Sequence, residues 1–284
     1  MNLLRSLLCS RDFKSVALVL ALFLSFAALA QETGQVPEGQ SDQGRQLKLG
    51  LSFSIPPWVI REEDSGLKLE IIRKAFEVSG YQIKPVYVPN SRAYKLFEQK
   101  QIDAVLSPSK PVTNIGYLSE PVTSFHNVAI SLKKKGFPKD IPISFLSDKS
   151  VVAFQKAHQF LGAEFGEIAG HNANYEEITQ QHLQVNLLFV REVDFIVMDR
   201  SVFGYFWKKA VEQEYPGDER FLQEVQVHEL FSKSIYHYLF LEKVVRDQFD
   251  LGLKKIREQG VYDQLVKQYA KAFQEYRPTA PATP

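Results

Sequence analysis

A carboxylate stands at the end of one apolar strand pattern: Asp199 follows VDFIVM (193–198) and immediately precedes the helical pattern SVFGYFWKKAVEQ (201–213). An oxygen there suits two roles, capping the first amides of the helix or facing a cleft and pairing with the cation of a ligand. In the same half of the chain Gln155, His158 and Gln159 border a helix start after KSVVAF (149–154). The free amides of such a start suit an anionic group. The first half offers a comparable set in the loops that follow its strand patterns. Trp58, in SIPPW, presents a face that stacks on a ligand or clamps a cation, or else plugs an edge between domains. Arg92, in VPNSR, matches two carboxylate oxygens, or is an ordinary helix-start arginine on a solvated face. Ser107, Ser109 and Lys110, in SPSKP, supply hydroxyl and ammonium donors.

Enzyme signatures are missing from this set. There is no Gly-rich phosphate loop, no HExxH or CxxC spacing and no GxSxG elbow. The histidines, His126, His158, His171, His182, His228 and His237, are scattered and read as surface or satisfied-core residues. No metal and no cofactor is expected.

Positioning such residues takes alternating strands and helices. LKLGLSF (47–53) alternates like a strand and SIPPW is a loop, because two prolines cannot sit in a central strand. Leu67, Ile71, Ala75 and Val78 recur at helical spacing, Ile72 and Phe76 broaden the stripe, and Gly80 is placed as a stop. YQIKPVYV (81–88) reads as a second strand, Ser91 to Lys100 as a short helix and IDAVLS (102–107) as a third strand. This order implies a parallel sheet with helices on it, and ligands bind in the loops at the carboxyl ends of such strands. HNVAISLKKK (126–135) is a further strand, and GFPKDIP (136–142) a turn. A second, similar series follows: KSVVAF, a loop and helix around KAHQFLGAEF (156–165), a helix over NYEEITQQHLQVNLLF (174–189), and the buried strand at 193–199. VQVHELF (225–231) and SIYHYLFL (234–241) are strands, and two closing helices separated by Gly260 return to the first sheet. Crossings near 133–143 and 226–233 would make a hinge.

The ends carry a different message. Arg5, Arg11 and Lys14 precede the apolar run VALVLALFLSFAALA, which is shorter than a membrane-spanning helix needs and ends in small residues. This is the grammar of a secretory signal cleaved after Ala30. Cys9 lies ahead of the run, so the mature chain has no cysteine and no lipid anchor is expected. Without the leader 31 basic residues face 32 acidic ones, which points to neither nucleic acid nor an anionic membrane. The Gln- and Gly-rich segment 31–46 and the Pro-rich 276–284 read as disordered. The expected organisation is a signal peptide (1–30), that linker, one lobe from 47–133 and 231–275, a second lobe from 134–230, and the tail.

GLKLEIIRKAFEVSGYQIKPVYVP, LFEQKQIDAVLS, LSEPV, VDFIVMDRSVFGYF and FDLGLKKIREQGVYDQLVKQY occur in this order from about Leu47 to Phe273. In order and spacing they resemble the family-3 bacterial solute-binding proteins, whose best-known members serve polar amino-acid importers. The resemblance implies the two-lobed type II periplasmic-binding fold, α/β in class, with each lobe a mostly parallel sheet flanked by helices and a two-strand hinge between them. It also implies a periplasmic protein that closes on a small polar ligand and presents it to an ABC-type permease or a membrane sensor; a monomer is expected. On the family's pattern the ligand would meet an aromatic near Trp58, polar groups near Ser107 and Ser109, a helix start at Gln155 to Gln159, and an amine-binding aspartate at Asp199. One departure stands out: the family's amino-acid binders carry an arginine before the motif matched by LSEPV, whereas SPSKPVTNIGYLSEP is shorter and has none. That puts a standard α-amino-acid ligand in question and leaves Lys110 or Arg92 as the compensating cation. The alternative on the same fold is a dehydratase-like enzyme for a small carboxylic acid, with His158 and Asp199 as its acid–base pair. A third reading, an interaction module, would be favoured by a cleft filled with apolar side chains.

Overall fold

The computed structural model describes residues 44–52 and 55–278. The expected signal peptide, its cleavage point, the linker up to residue 43 and the last six residues lie outside the described residues. No described helix is long and apolar enough to cross a membrane.

Two sheets organise the chain. The first is built from β1 (Gln46–Leu51), β2 (Gln82–Tyr87), β3 (Ala104–Pro108), the short β4 (Tyr117–Leu118) and β5 (Thr123–Phe125), and the returning β11 (Ser234–Phe240). Its order is β2-β1-β3-β11-β4, with β5 also paired to β11. The β1, β2 and β3 strands are parallel and β11 is antiparallel to β3. The second sheet has the order β10-β6-β9-β7-β8, from β6 (Asn127–Leu132), β7 (Val151–Phe154), β8 (Tyr175–Ile178), β9 (Phe195–Asp199) and β10 (Val225–His228). In it β7 runs parallel to β8 and β9, while β6 and β10 are antiparallel.

In the first sheet the helix α1 (Leu67–Phe76) buries Leu69, Ile72 and Phe76 against the long α7 (Lys243–Glu258). The ring of Phe76 lies 5.7 Å from that of Phe249 and meets Phe240 edge-on. The two helices approach so closely that a Cβ at Gly252 would lie 1.9 Å from the carbonyl oxygen of Ala75. Helix α2 (Asn90–Glu98) packs on β1 and β3 of the same sheet through Ala93 and Phe97. In the second sheet, β9 is apolar on both faces because α5 (His182–Phe189) covers one and Phe137, Phe145 and Phe165 the other. The short α3 (Ala157–Phe160) and α4 (Ala163–His171) are separated at Gly162, whose φ of 98° favours glycine. Helix α6 (Arg200–Lys209) leaves the end of β9, and α8 (Val261–Val266) follows α7 after the left-handed Gly260.

The chain departs from the sequence reading in four places. Residues 175–178 form β8, parallel to β7, and the helix begins only at His182, since Val151 to Phe154 offer a free edge that takes up the backbone of YEEI. The strand HNVAISL belongs to the second sheet, so the first passage between sheets falls at His126, ahead of 133–143. The second falls in 229–233, between β10 and β11, inside the expected 226–233. Helix α1 ends at Phe76, which leaves Val78 64 % exposed instead of on the buried stripe. Both presumed tails carry structure at their inner ends: Gly44 donates to the Gly80 carbonyl, Arg45 pairs with Glu242, and Tyr276 packs edge-on against Trp207.

Candidate functional site

Asp199 is the last residue of the fully buried strand FIVMD and the N-cap of α6. Its Oδ1 accepts from the backbone amides of Ser201 at 2.9 Å and Val202 at 3.2 Å. The same oxygen accepts from the indole Nε1 of Trp58 at 3.0 Å, and Oδ2 accepts from the backbone amide of His126 at 2.8 Å. Burial pushes its pKa up, while the donors from Trp58, His126, Val202 and Ser201 pull against that rise. The capping role is therefore realised, and the carboxylate also joins three segments: the passage at His126, the start of α6 and the loop after β1.

That loop turns at Ile55 to Trp58, where the Trp58 amide donates to the Ile55 carbonyl, and the Pro56–Pro57 bond is cis. Trp58 packs on Phe125, centroid to centroid 4.8 Å. Its carbonyl accepts from the amide of Lys68, which fixes the first turn of α1 beneath the loop. Only glycine fits at the N-cap, since a Cβ on Gly66 would lie 2.8 Å from the Trp58 carbonyl and from Val59.

Lys68 was not a sequence candidate, yet it lies at the centre of this joint. Its Nζ is 4.2 Å from the ring centroid of Phe125, 5.2 Å from Tyr236 and 6.0 Å from Trp58. Burial draws its pKa down to about 7, partly offset by the negative charge of Asp199. Tyr238 donates its hydroxyl to the Lys68 carbonyl, and burial pushes the Tyr236 hydroxyl pKa up. Trp58, Lys68 and Asp199 are 2 %, 4 % and 3 % exposed, so the three pack as a closed joint. The signal was present in the sequence: Lys68 stands four residues before Ile72 and eight before Phe76, on the stripe those residues broaden.

The anion-binding start expected at Gln155 to Gln159 is already occupied by a carboxylate of the chain. Glu177, on β8, accepts from the amides of Lys156 at 2.6 Å and His158 at 3.0 Å, from His158 Nδ1 at 2.7 Å and from the Tyr175 hydroxyl at 2.7 Å. Partial burial opposes ionisation, but these donors prevail and hold the Glu177 pKa at about 2. Gln155 and Gln159 are exposed.

The remaining candidates are dispersed. The buried Ser107 donates to the Pro108 carbonyl, and Ser109 Oγ lies 3.2 Å from His237 Nε2. Arg92 and Lys110 lie exposed on α2 and after β3. His228 bonds Ser131 and the Lys139 carbonyl in the interior, and burial lowers its pKa. His158 and Asp199 have separate partners, so the acid–base pair of the enzyme alternative is not assembled. Among the described residues no group of three or more His, Cys, Asp or Glu is arranged to hold a metal.

No family model and no curated protein sequence matches the chain. Solved structures do. The chain is similar to the GluR0 ligand-binding core in complex with L-glutamate, at 14 % identity over 80 % of this chain and 99 % of that one, TM-score 0.60. It is similar to a histidine kinase sensor domain with similarity to periplasmic binding proteins, at 16 % identity over 80 % and 97 %, TM-score 0.61. A probable amino-acid ABC transporter extracellular-binding protein from Bacillus subtilis aligns at 15 % identity over 80 % and 98 %, TM-score 0.63. Two sheets flanked by helices, joined where Trp58 meets Asp199 and aligned with these structures over nearly their full lengths, give the chain the two-lobed type II periplasmic-binding fold.

Proposed function

We propose that this is a periplasmic solute-binding protein that captures a small polar ligand, an amino-acid-like compound or a small organic ion, between its two sheets. The observation that carries the reading is the Trp58–Asp199 bond. It puts a buried carboxylate where two lobes meet, at the carboxyl end of a parallel strand, and only one of its four donors comes from the opposite lobe. Parting the lobes removes Trp58 and leaves an acceptor facing the cleft, while the cap and the His126 amide keep the carboxylate in place. Export rests on the leader read in residues 1–30. An importer permease or a membrane sensor is the partner, since both kinds of binding module occur among the similar structures. The mature protein acts as a monomer.

A thermal-shift panel of amino acids, polyamines, small organic acids and short peptides tests this, because a ligand held only by the native state raises stability by about 2.7 kcal/mol at a hundredfold excess over Kd. A saturable rise with the compound recovered unchanged is the expected result. No rise from any compound, or recovery of a transformed product, would overturn the reading.

A further inference from the structure

A lysine that is 4 % exposed is uncommon, because an ammonium leaves water only at a cost unless other groups take over its solvation. Around Lys68 that task falls to rings. Phe125, Tyr236 and Trp58 come from β5, β11 and the loop after β1, and their faces surround Nζ at 4.2, 5.2 and 6.0 Å. Trp58 and Phe125 are tilted against each other at 44°, Phe125 and Tyr236 at 71°, so the rings form walls and not a stack. A cation over such faces is attracted by their quadrupoles, the arrangement by which proteins recognise alkylammonium ligands.

The position of the box matters as much as its chemistry. Phe125 directly precedes the passage to the second sheet at His126, and Tyr236 follows the return. The rings and Lys68 belong to the first sheet's side, whereas Asp199, whose charge acts on Lys68, ends the middle strand of the second. Below about pH 7, where Lys68 is charged, the attraction therefore runs across the joint and favours its closed form.

We infer that this aromatic box is an alkylammonium site filled by the chain's own Lys68, and that this internal occupant holds the lobes together without a ligand. A cationic ligand at Asp199 neutralises the charge that draws Lys68 across the joint, so the two compete for that carboxylate. This competition rests on the solute-binding reading; the box and its closing role do not.

Replacing Lys68 with alanine removes the atoms from Cγ to Nζ, which together make n-propylammonium. Thermal unfolding of Lys68→Ala is measured at pH 6 with n-propylammonium chloride and with 1-propanol, beside the wild type and Lys68→Met. The expected result is a lower melting temperature for Lys68→Ala, restored saturably by propylammonium. Propanol acts about tenfold more weakly or less, as the cation–ring attraction requires. Wild type and Lys68→Met, whose boxes are full, do not respond. Small-angle X-ray scattering of Lys68→Ala is expected to give a larger radius of gyration that returns on adding propylammonium. Equal responses to propylammonium and propanol, no response, or an unchanged radius would overturn the inference. Should Lys68→Ala be unfolded, propylammonium present during refolding is expected to recover the native signal, and failure to do so overturns it too. The ligand panel on the wild type separates the two readings: a panel hit without propylammonium rescue removes the box alone, and rescue without a hit removes solute binding alone.

Discussion

The indole Nε1 of Trp58 donates to Oδ1 of Asp199 across 3.0 Å, tying the loop after the first strand of one sheet to the end of the middle strand of the other. The carboxylate keeps three backbone donors when that bond is absent. The bond is thus separable from the folding of the second lobe, which suits a joint that opens and closes.

Trp58→Phe keeps most of the ring packing on Phe125 and removes only the donor. A hydrogen bond to a charged group contributes about 1.5–3 kcal/mol, so urea unfolding is expected to show a loss of about 2 kcal/mol, with a larger radius of gyration. Unchanged stability would mean that the indole contributes to the joint only through its rings.

Lys68 gives the protein an alkaline signature. Its folded pKa of about 7 lies below the ordinary 10.5, so between these values the unfolded chain binds more protons and stability rises with pH. The charges facing it are the Asp199 carboxylate and, once ionised at high pH, the Tyr236 hydroxyl, with Trp58 and Phe125 as uncharged walls. At up to 1.36 kcal/mol per unit, wild type is expected to gain roughly 2 kcal/mol between pH 7 and 9 relative to Lys68→Met. Parallel pH curves for the two proteins would show that Lys68 stays charged in the fold.

Glu177 gives the opposite signature in acid. Its pKa is held at about 2 against an ordinary 4.5, so its contribution is complete above pH 4.5 and is lost as pH falls toward 2. Solvent screening reduces the effect to roughly 1 kcal/mol. Denaturant unfolding from pH 5 to 2.5 is expected to fall less steeply for Glu177→Gln than for wild type, and equal slopes would contradict the assignment.

Much of this architecture was legible because hydrophobic period and punctuation agreed. The unbroken apolar run before Asp199 marks a strand covered on both faces, which is found, and of the two roles open to a carboxylate between strand and helix the cap is realised. Other features were hidden for identifiable reasons. YEEI lacks alternating burial because β8 is an edge strand, and its pairing with β7 depends on a partner over twenty residues away. The amides of Lys156 and His158 look free in sequence, and only that pairing carries Glu177 to them. Lys68 was hidden by its type, because a lysine on an apolar helix stripe is ordinarily read as reaching for solvent. The three rings that receive it are scattered over nearly 180 residues of chain.

The most direct test of the account is a calorimetric titration of the compound selected by the panel into wild type and Asp199→Asn. The amide oxygen of asparagine still caps α6, while its NH2 cannot accept from the His126 amide, so the variant loses the charge and that one bond and keeps the cap. The account predicts that affinity falls about tenfold or more, as expected when a charge-assisted contact becomes a neutral one. Equal affinity in the two proteins would confine Asp199 to capping and joining the lobes, and would place the ligand away from the Trp58–Asp199 joint.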